Sequence, residues 1–203
     1  MKKGSMIGLG CLAAIVLVIV IIGFSTLGTY NSLVAQEENV EQQWAQVENQ
    51  YQRRADLVPN LVATVKGYAA HETETLQAVT ESRSQVGSMK ISPEMLNNPA
   101  ALAQFEQAQA GLTSALSRLM LVVERYPDLK ANQNFLELQN QLEGTENRIA
   151  VARMRFNEAA QAYNTKVRQF PGNIYARIFG FQQKVYFESA PGSEEVPAVD
   201  FTG

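Results

Sequence analysis

The 203-residue chain has one cysteine, Cys11, and one histidine, His71. No intramolecular disulfide can form, and a zinc or iron site built from imidazole and thiolate is out of reach within one chain. A metal would need carboxylates or a second copy of the protein, and no cofactor is expected. Basic clusters are missing as well. Lys and Arg are scattered and the net charge is -3, which gives no reason to expect nucleic acid as a partner. No stretch alternates apolar and polar residues as a half-buried strand does. Charge is absent from one long segment, with none between Lys3 and Glu37.

That segment contains an apolar run from Met6 to Phe24, MIGLGCLAAIVLVIVIIGF. Its 19 residues span roughly 28 Å as a helix, close to the hydrocarbon thickness of a bilayer. Lys2 and Lys3 precede it, and Glu37, Glu38 and Glu41 are the first charges after it. The positive-inside rule puts the amino terminus in the cytoplasm and the remaining chain outside it. A cleaved signal peptide fits less well, because the apolar core is too long and Gly23 to Tyr30 holds no A-x-A site. Lipidation at Cys11 also fits poorly, since most of the run follows that residue. An uncleaved anchor over residues 1–29 is the expectation, with Cys11 a small residue within it.

From Tyr30 the pattern becomes a seven-residue repeat. Val40, Val47, Leu61 and Tyr68, with Trp44, Tyr51, Val58, Val65 and Val79, occupy its two apolar positions. The register passes Pro59 without a slip. One long helix to about Ser84 is predicted, bent near Asp56 to Pro59, its first turns a stalk continuous with the anchor. Gln85 to Asn98 breaks the pattern and reads as a loop. Asn98-Pro99 starts a second helix, which carries Leu102, Phe105, Leu112, Leu116, Leu119, Val123 and Tyr126, with Gln109 polar among them, and stops at Pro127. Phe135, Leu142, Ile149, Phe156, Tyr163 and Phe170 then recur every seven residues, with Leu138, Thr145, Ala152 and Ala159 in the second seam. Asn132 or Asn134 caps this third helix, and Pro171-Gly172 ends it. Asn173 caps a shorter fourth, with Ile174, Ile178, Phe181 and Val185 on one face. The expectation is an all-α, antiparallel up-and-down bundle over residues 30–188, three long helices plus a shorter fourth behind a transmembrane helix. Residues 189–203, rich in Pro, Gly, Ser and Glu, read as a disordered tail.

Three segments carry a resemblance: RRADLVPNLVATVKGYAAHE from Arg53, YPDLKANQNFLELQNQLEGTENRIAVAR from Tyr126, and FNEAAQAYNTKVRQFPGNIYA from Phe156. Behind an amino-terminal apolar helix, they closely resemble the LemA family over about residues 28–188. The resemblance implies a bacterial envelope protein, in the cytoplasmic (inner) membrane, with an antiparallel helical bundle and no established enzyme activity.

Five polar positions are candidates for contact with a partner: Arg54, Asp56, His71, Glu72 and Asp128. Arg54 and Glu72 fall on the apolar seam, where an unpaired charge is costly. They lie too far apart on one helix to pair with each other, so each needs a partner elsewhere. Glu146 and Glu143 suit Arg54; Arg148, Arg153 or Lys166 suit Glu72. Pairs that fix helix register are the plainer reading, and hooks in a binding groove the other. His71-Glu72 opens like the zinc-protease pattern H-E-x-x-H, but the second histidine is absent. Asp128 fits a tight turn, and Asn157 and Asn164, seven apart, suit cross-helix hydrogen bonds. Two readings follow. One is a membrane-anchored, non-catalytic interaction or scaffold protein that meets another envelope protein or itself. The other is a sensor or carrier of a small ligand or peptide held between helices.

Overall fold

The computed structural model describes residues 2–89 and 92–188. Among them there are helices and turns but no strand: α1 Lys2–Lys66, α2 Thr73–Ser88, α3 Pro99–Val123, α4 Pro127–Lys130, α5 Gln133–Arg168 and α6 Gly172–Phe179. The expected tail, 189–203, lies outside the described residues.

At 65 residues α1 is roughly 100 Å long, which is more than a compact bundle can cover. Its side chains are exposed from Leu12 through Ile21, and Leu33 is the first that the bundle buries. The expected stalk is therefore an unbroken continuation of the apolar segment. Below Leu33, Trp44 meets Phe156 of α5 (ring centroids 5.5 Å apart) and Arg54 meets Glu146 (2.8 Å), so the two helices run antiparallel. Tyr51 meets Phe105 of α3 (5.0 Å), and α3 runs in the direction of α1.

The long helix does not reach Ser84. It ends at Lys66, and the chain turns over Gly67 to Glu72, bonded at Ala69 N–H to Val65 C=O (2.8 Å) and at Glu72 N–H to Ala69 C=O (3.1 Å). Gly67 is a poor helix residue and Tyr68, expected in the seam, is 46% exposed. α2 then folds back along α1, with Arg83 Nε donating to the Ala55 carbonyl at 2.9 Å. The fourth position of the bundle thus belongs to α2, not to the last helix.

Pro59 sits inside α1 as expected, on its exposed side. A proline at that position cannot donate to the carbonyl four residues earlier, which is that of Ala55. The freed oxygen is the one that accepts Arg83. Pro59→Ala should leave the fold intact, because the restored helical bond compensates for a weakened Arg83 contact. A melting temperature within a few degrees of wild type is the expected result, and loss of folding would show that the proline terminates a helix.

The segment Gln85 to Asn98 is more ordered than a loop. α2 continues to Ser88, and Pro93–Asn97 forms a 3-10 turn that buries Met95 and Leu96. Asn98 caps α3 by accepting from Ala100 N–H (3.1 Å) and Ala101 N–H (3.2 Å), and Asn132 caps α5 by accepting from Phe135 N–H (3.1 Å). The last helix is shorter than expected and begins after Pro171, not at a cap by Asn173. Gly172 is required at its start, since a Cβ there would collide with the Lys166 carbonyl oxygen. Gly180 ends it in the left-handed region (φ 81°). Residues 181–188 then run as an extended strap, and Phe181 and Val185 belong to that strap. Phe170, Ile174 and Ile178, expected in apolar seams, are exposed.

Candidate functional site

The core is divided along its length. One apolar cluster includes Trp44, Tyr51, Phe105, Ile149, Phe156 and Tyr163, and the other Val58, Leu61, Leu112, Leu119, Phe135 and Leu142. Between them lies a polar layer. Arg54 of α1 is 2% exposed, and its Nη1 donates to Glu146 Oε1 (2.8 Å) and Thr113 Oγ1 (3.0 Å). Its Nη2 donates to the Gln109 carbonyl (3.3 Å) and to Gln109 Oε1. The seven-residue spacing explains the layer. Arg54 falls between Tyr51 and Val58 on one face, and Gln109 between Phe105 and Leu112, so bringing the apolar positions together brings the polar ones together too.

A furrow runs between α3 and α5. It holds a hollow of about 420 Å³ lined by Arg54, Gln109, Thr113, Glu146 and Arg153, among others. A second, of about 210 Å³, is lined by Thr113, Leu116, Met120, Leu142 and Glu146. Two buried donors bordering the first, Arg54 Nε and Gln109 Nε2, have no hydrogen-bond partner. At its upper rim Arg153 Nη2 meets Glu106 Oε1 at 2.7 Å, and burial raises the Glu106 carboxyl above the ordinary carboxylate range. Burial likewise raises the Tyr51 phenol.

Beyond that rim the strap closes the bundle. Asn164 Nδ2 donates to the Lys184 carbonyl (2.8 Å) and its Oδ1 accepts the Lys184 N–H (2.8 Å). One step along, Asn157 treats Phe187 in the same way, at 3.0 Å both ways. The two asparagines therefore grip strap backbone and do not bond helix to helix. Phe187 stacks on Trp44 (5.8 Å, 22° between planes) beneath the Arg153 guanidinium (4.4 Å), and Lys184 Nζ reaches Glu37 Oε1 (2.7 Å). The Val185 N–H donates to the Leu96 carbonyl (2.8 Å), which ties the strap to the 3-10 turn.

The other sequence candidates lie elsewhere. Glu72 is at the far end, paired not with α5 but with Arg125 Nη2 (2.9 Å) and the Tyr126 hydroxyl (3.0 Å). The turn after α1 places it against the end of α3. That hydrogen bond raises the Tyr126 phenol. His71 is exposed on the same turn, and Asp128 is exposed in the first turn of α4. Asp56 points outward and accepts from Gln52 Nε2 (2.8 Å). These positions form no common site with Arg54. The sequence points to the layer through Arg54 on the apolar seam, its partner Glu146, and Gln109, polar within an apolar helical face; it gives no sign of Thr113, Lys184 or Phe187.

A helical bundle with a polar central layer, a strapped upper half and one helix long and apolar enough to cross a membrane defines the class of protein. The LemA family model matches residues 43–201, and the chain belongs to the LemA family. It is 29% identical over 181 residues to Magnetosome protein MamQ 2 of Paramagnetospirillum magneticum, covering 81% of this chain and 66% of that protein. Over 199 residues it is 29% identical to Magnetosome protein MamQ of Magnetospirillum gryphiswaldense, covering 90% of this chain and 73% of that one. Protein LemA of Metamycoplasma hominis is 23% identical over 185 residues, with 91% and 78% covered.

Proposed function

We propose that this chain is a single-pass anchored interaction module of the bacterial cell envelope, holding a non-catalytic bundle outside the cytoplasmic membrane for another envelope protein or a second copy to bind. The observation that carries this reading is α1. Its exposed apolar segment and its bundle seam belong to one unbroken helix, so whatever holds the segment also sets the position of the bundle. Lys2 and Lys3 before the apolar run support the orientation. The absence of a catalytic role is likewise part of the proposal. Among the described residues no group of three His, Cys, Asp or Glu is placed to hold a metal, and the one histidine is exposed on a turn.

Protease added to spheroplasts should digest the chain beyond Tyr30 while the apolar segment stays with the membrane. Full protection of the bundle in sealed spheroplasts would overturn the orientation, and release by alkaline carbonate would overturn the anchor.

The unpartnered donors Arg54 Nε and Gln109 Nε2, beside the hollow of about 420 Å³, favour a second reading. In it the furrow takes a small ligand that brings a hydrogen-bond acceptor. A compound that binds only the folded chain raises its melting temperature, by an amount that grows with concentration. Such a rise, abolished by Gln109→Leu, is what that reading expects.

A further inference from the structure

The exposed apolar side chains around α6 are not scattered. Ile174 (48% exposed) and Ile178 (66%) lie one turn apart on α6, and Phe170 (81%) stands exposed in the turn that precedes the helix. The opposite face of the helix does the packing: Gly172 and Ala176 are buried, and Tyr175 is half-buried. A helix with one face on its own protein and an outer face of isoleucine has a partner still to meet.

The position of α6 along α1 identifies that partner. Tyr175 Oη accepts from Thr26 Oγ1 at 3.1 Å, and the Phe179 ring lies edge-on to Tyr30 at 4.9 Å. Thr26 and Tyr30 follow the apolar run by two and six residues, roughly 3–9 Å along the helix axis. The headgroup zone on each side of a bilayer is about 5–7 Å deep. The Tyr175 end of α6 falls within it and the Phe179 end reaches its outer edge. The flanking chemistry suits the same surroundings. Arg177, next to Ile178 in the chain, and Arg168, two residues before Phe170, are exposed; Tyr30 is exposed and Tyr175 half-buried along the same stretch of α1. Aromatic and basic residues of this kind gather at the membrane–water boundary.

We propose that Phe170, Ile174 and Ile178 insert into the headgroup–acyl boundary of the membrane that α1 crosses, giving the bundle a second, peripheral attachment to the lipid surface. The inference rests on the anchored reading above and goes beyond it. An anchor alone leaves the tilt of α1 in the bilayer free, and a second contact beside it restrains that tilt and the bundle with it. Because α1 already holds α6 at the surface, insertion is an intramolecular event, and even a helix of eight residues is long enough to benefit.

The test uses the full chain with Cys11→Ser, reconstituted in phosphatidylcholine vesicles containing phosphatidylglycerol. A nitroxide is attached in turn to cysteine at Ile19, Ile178, Ile174 and Ala45, and collisions with oxygen and with a water-soluble nickel chelate are compared. The expected oxygen-to-nickel ratio is highest at Ile19, intermediate at Ile174 and Ile178, and lowest at Ala45, an exposed bundle position. Adding Ile178→Asp should lower the ratio at Ile174 to that of Ala45 without changing Ile19. If Ile174 and Ile178 match Ala45 while Ile19 reports hydrocarbon, the peripheral contact is wrong and the anchor stands. If Ile19 itself reports water, the anchored reading fails and this inference fails with it. All three labelled bundle positions are exposed, so folding is retained in each variant and is checked by helical circular dichroism.

Discussion

Glu146→Leu is expected to cost about 3 kcal/mol of stability, because it leaves the Arg54 guanidinium charged and 2% exposed without its carboxylate. The Glu146 side chain is 40% exposed, so the converse change behaves differently. In Arg54→Ala the carboxylate turns to water, and the loss comes from packing around a long side chain and from the hydrogen bonds to Thr113 and Gln109. That loss is expected at about 2 kcal/mol. Replacing both partners, Arg54→Met with Glu146→Leu, should restore most of the stability, since an apolar pair of similar volume can match a buried ion pair. Urea unfolding of the full chain in detergent ranks the three variants. The decisive outcome is the double variant. If it is as unstable as Glu146→Leu alone, the layer contributes more than a paired charge, and the ion-pair account of Arg54 is wrong.

We propose that this layer sets register. Helices slid by one heptad would still pair apolar positions, whereas Arg54 would be carried away from Gln109, Thr113 and Glu146. The same layer borders the furrow between α3 and α5, so a structural role and a recognition role share the residue. They separate experimentally, because the double variant keeps apolar packing in the layer and removes the Arg54 donors, leaving only Gln109 Nε2 facing the furrow.

Periodicity revealed the bundle in the sequence but not its corners. Val65 and Val79 are fourteen residues apart, two full heptads, and both are buried. The turn over Gly67 to Glu72 falls between them, so α2 begins again in the phase that α1 left. A repeat read along the chain cannot distinguish that from one continuous helix, and the partner expected for Glu72 was misplaced as a result. The pair Arg54 and Glu146 was legible because both helices keep an unbroken heptad through it. At the carboxyl end the error had another source. The spacing of Phe170, Ile174 and Ile178 implies a covered face, but spacing does not say whether protein or lipid covers it. The strap left almost no signal. Asn157 and Asn164 show a spacing, but their backbone partners depend on where Gly180 stops α6, and that is a matter of tertiary contact.

Asn164→Leu is expected to release the strap without unfolding the bundle. Asn164 is 3% exposed, and it holds both the N–H and the C=O of Lys184, with its Nδ2 also donating to the Tyr186 hydroxyl (2.9 Å). Leucine fills the space but leaves two buried backbone groups without partners, at about 1–3 kcal/mol each. A segment that follows the last helix need not bear that cost. By lifting off, the strap returns Lys184 to water, so the measured loss is capped by the free energy of opening the strap and does not reach the full desolvation cost. Lifting it uncovers Trp44, the sole tryptophan, from beneath Phe187. The expected signature is a red-shifted, more quenchable tryptophan emission with rapid proteolysis between Gly180 and Glu188, while most helical ellipticity is retained. Asn164→Asp should fall between wild type and Asn164→Leu, since it keeps the acceptor for the Lys184 N–H and loses the donor to the carbonyl. Phe187→Ala should reproduce the emission change by removing the ring stacked on the indole. Global unfolding of Asn164→Leu, with helicity lost in one transition, would mean that the strap is part of the cooperative core and not a clasp laid over it.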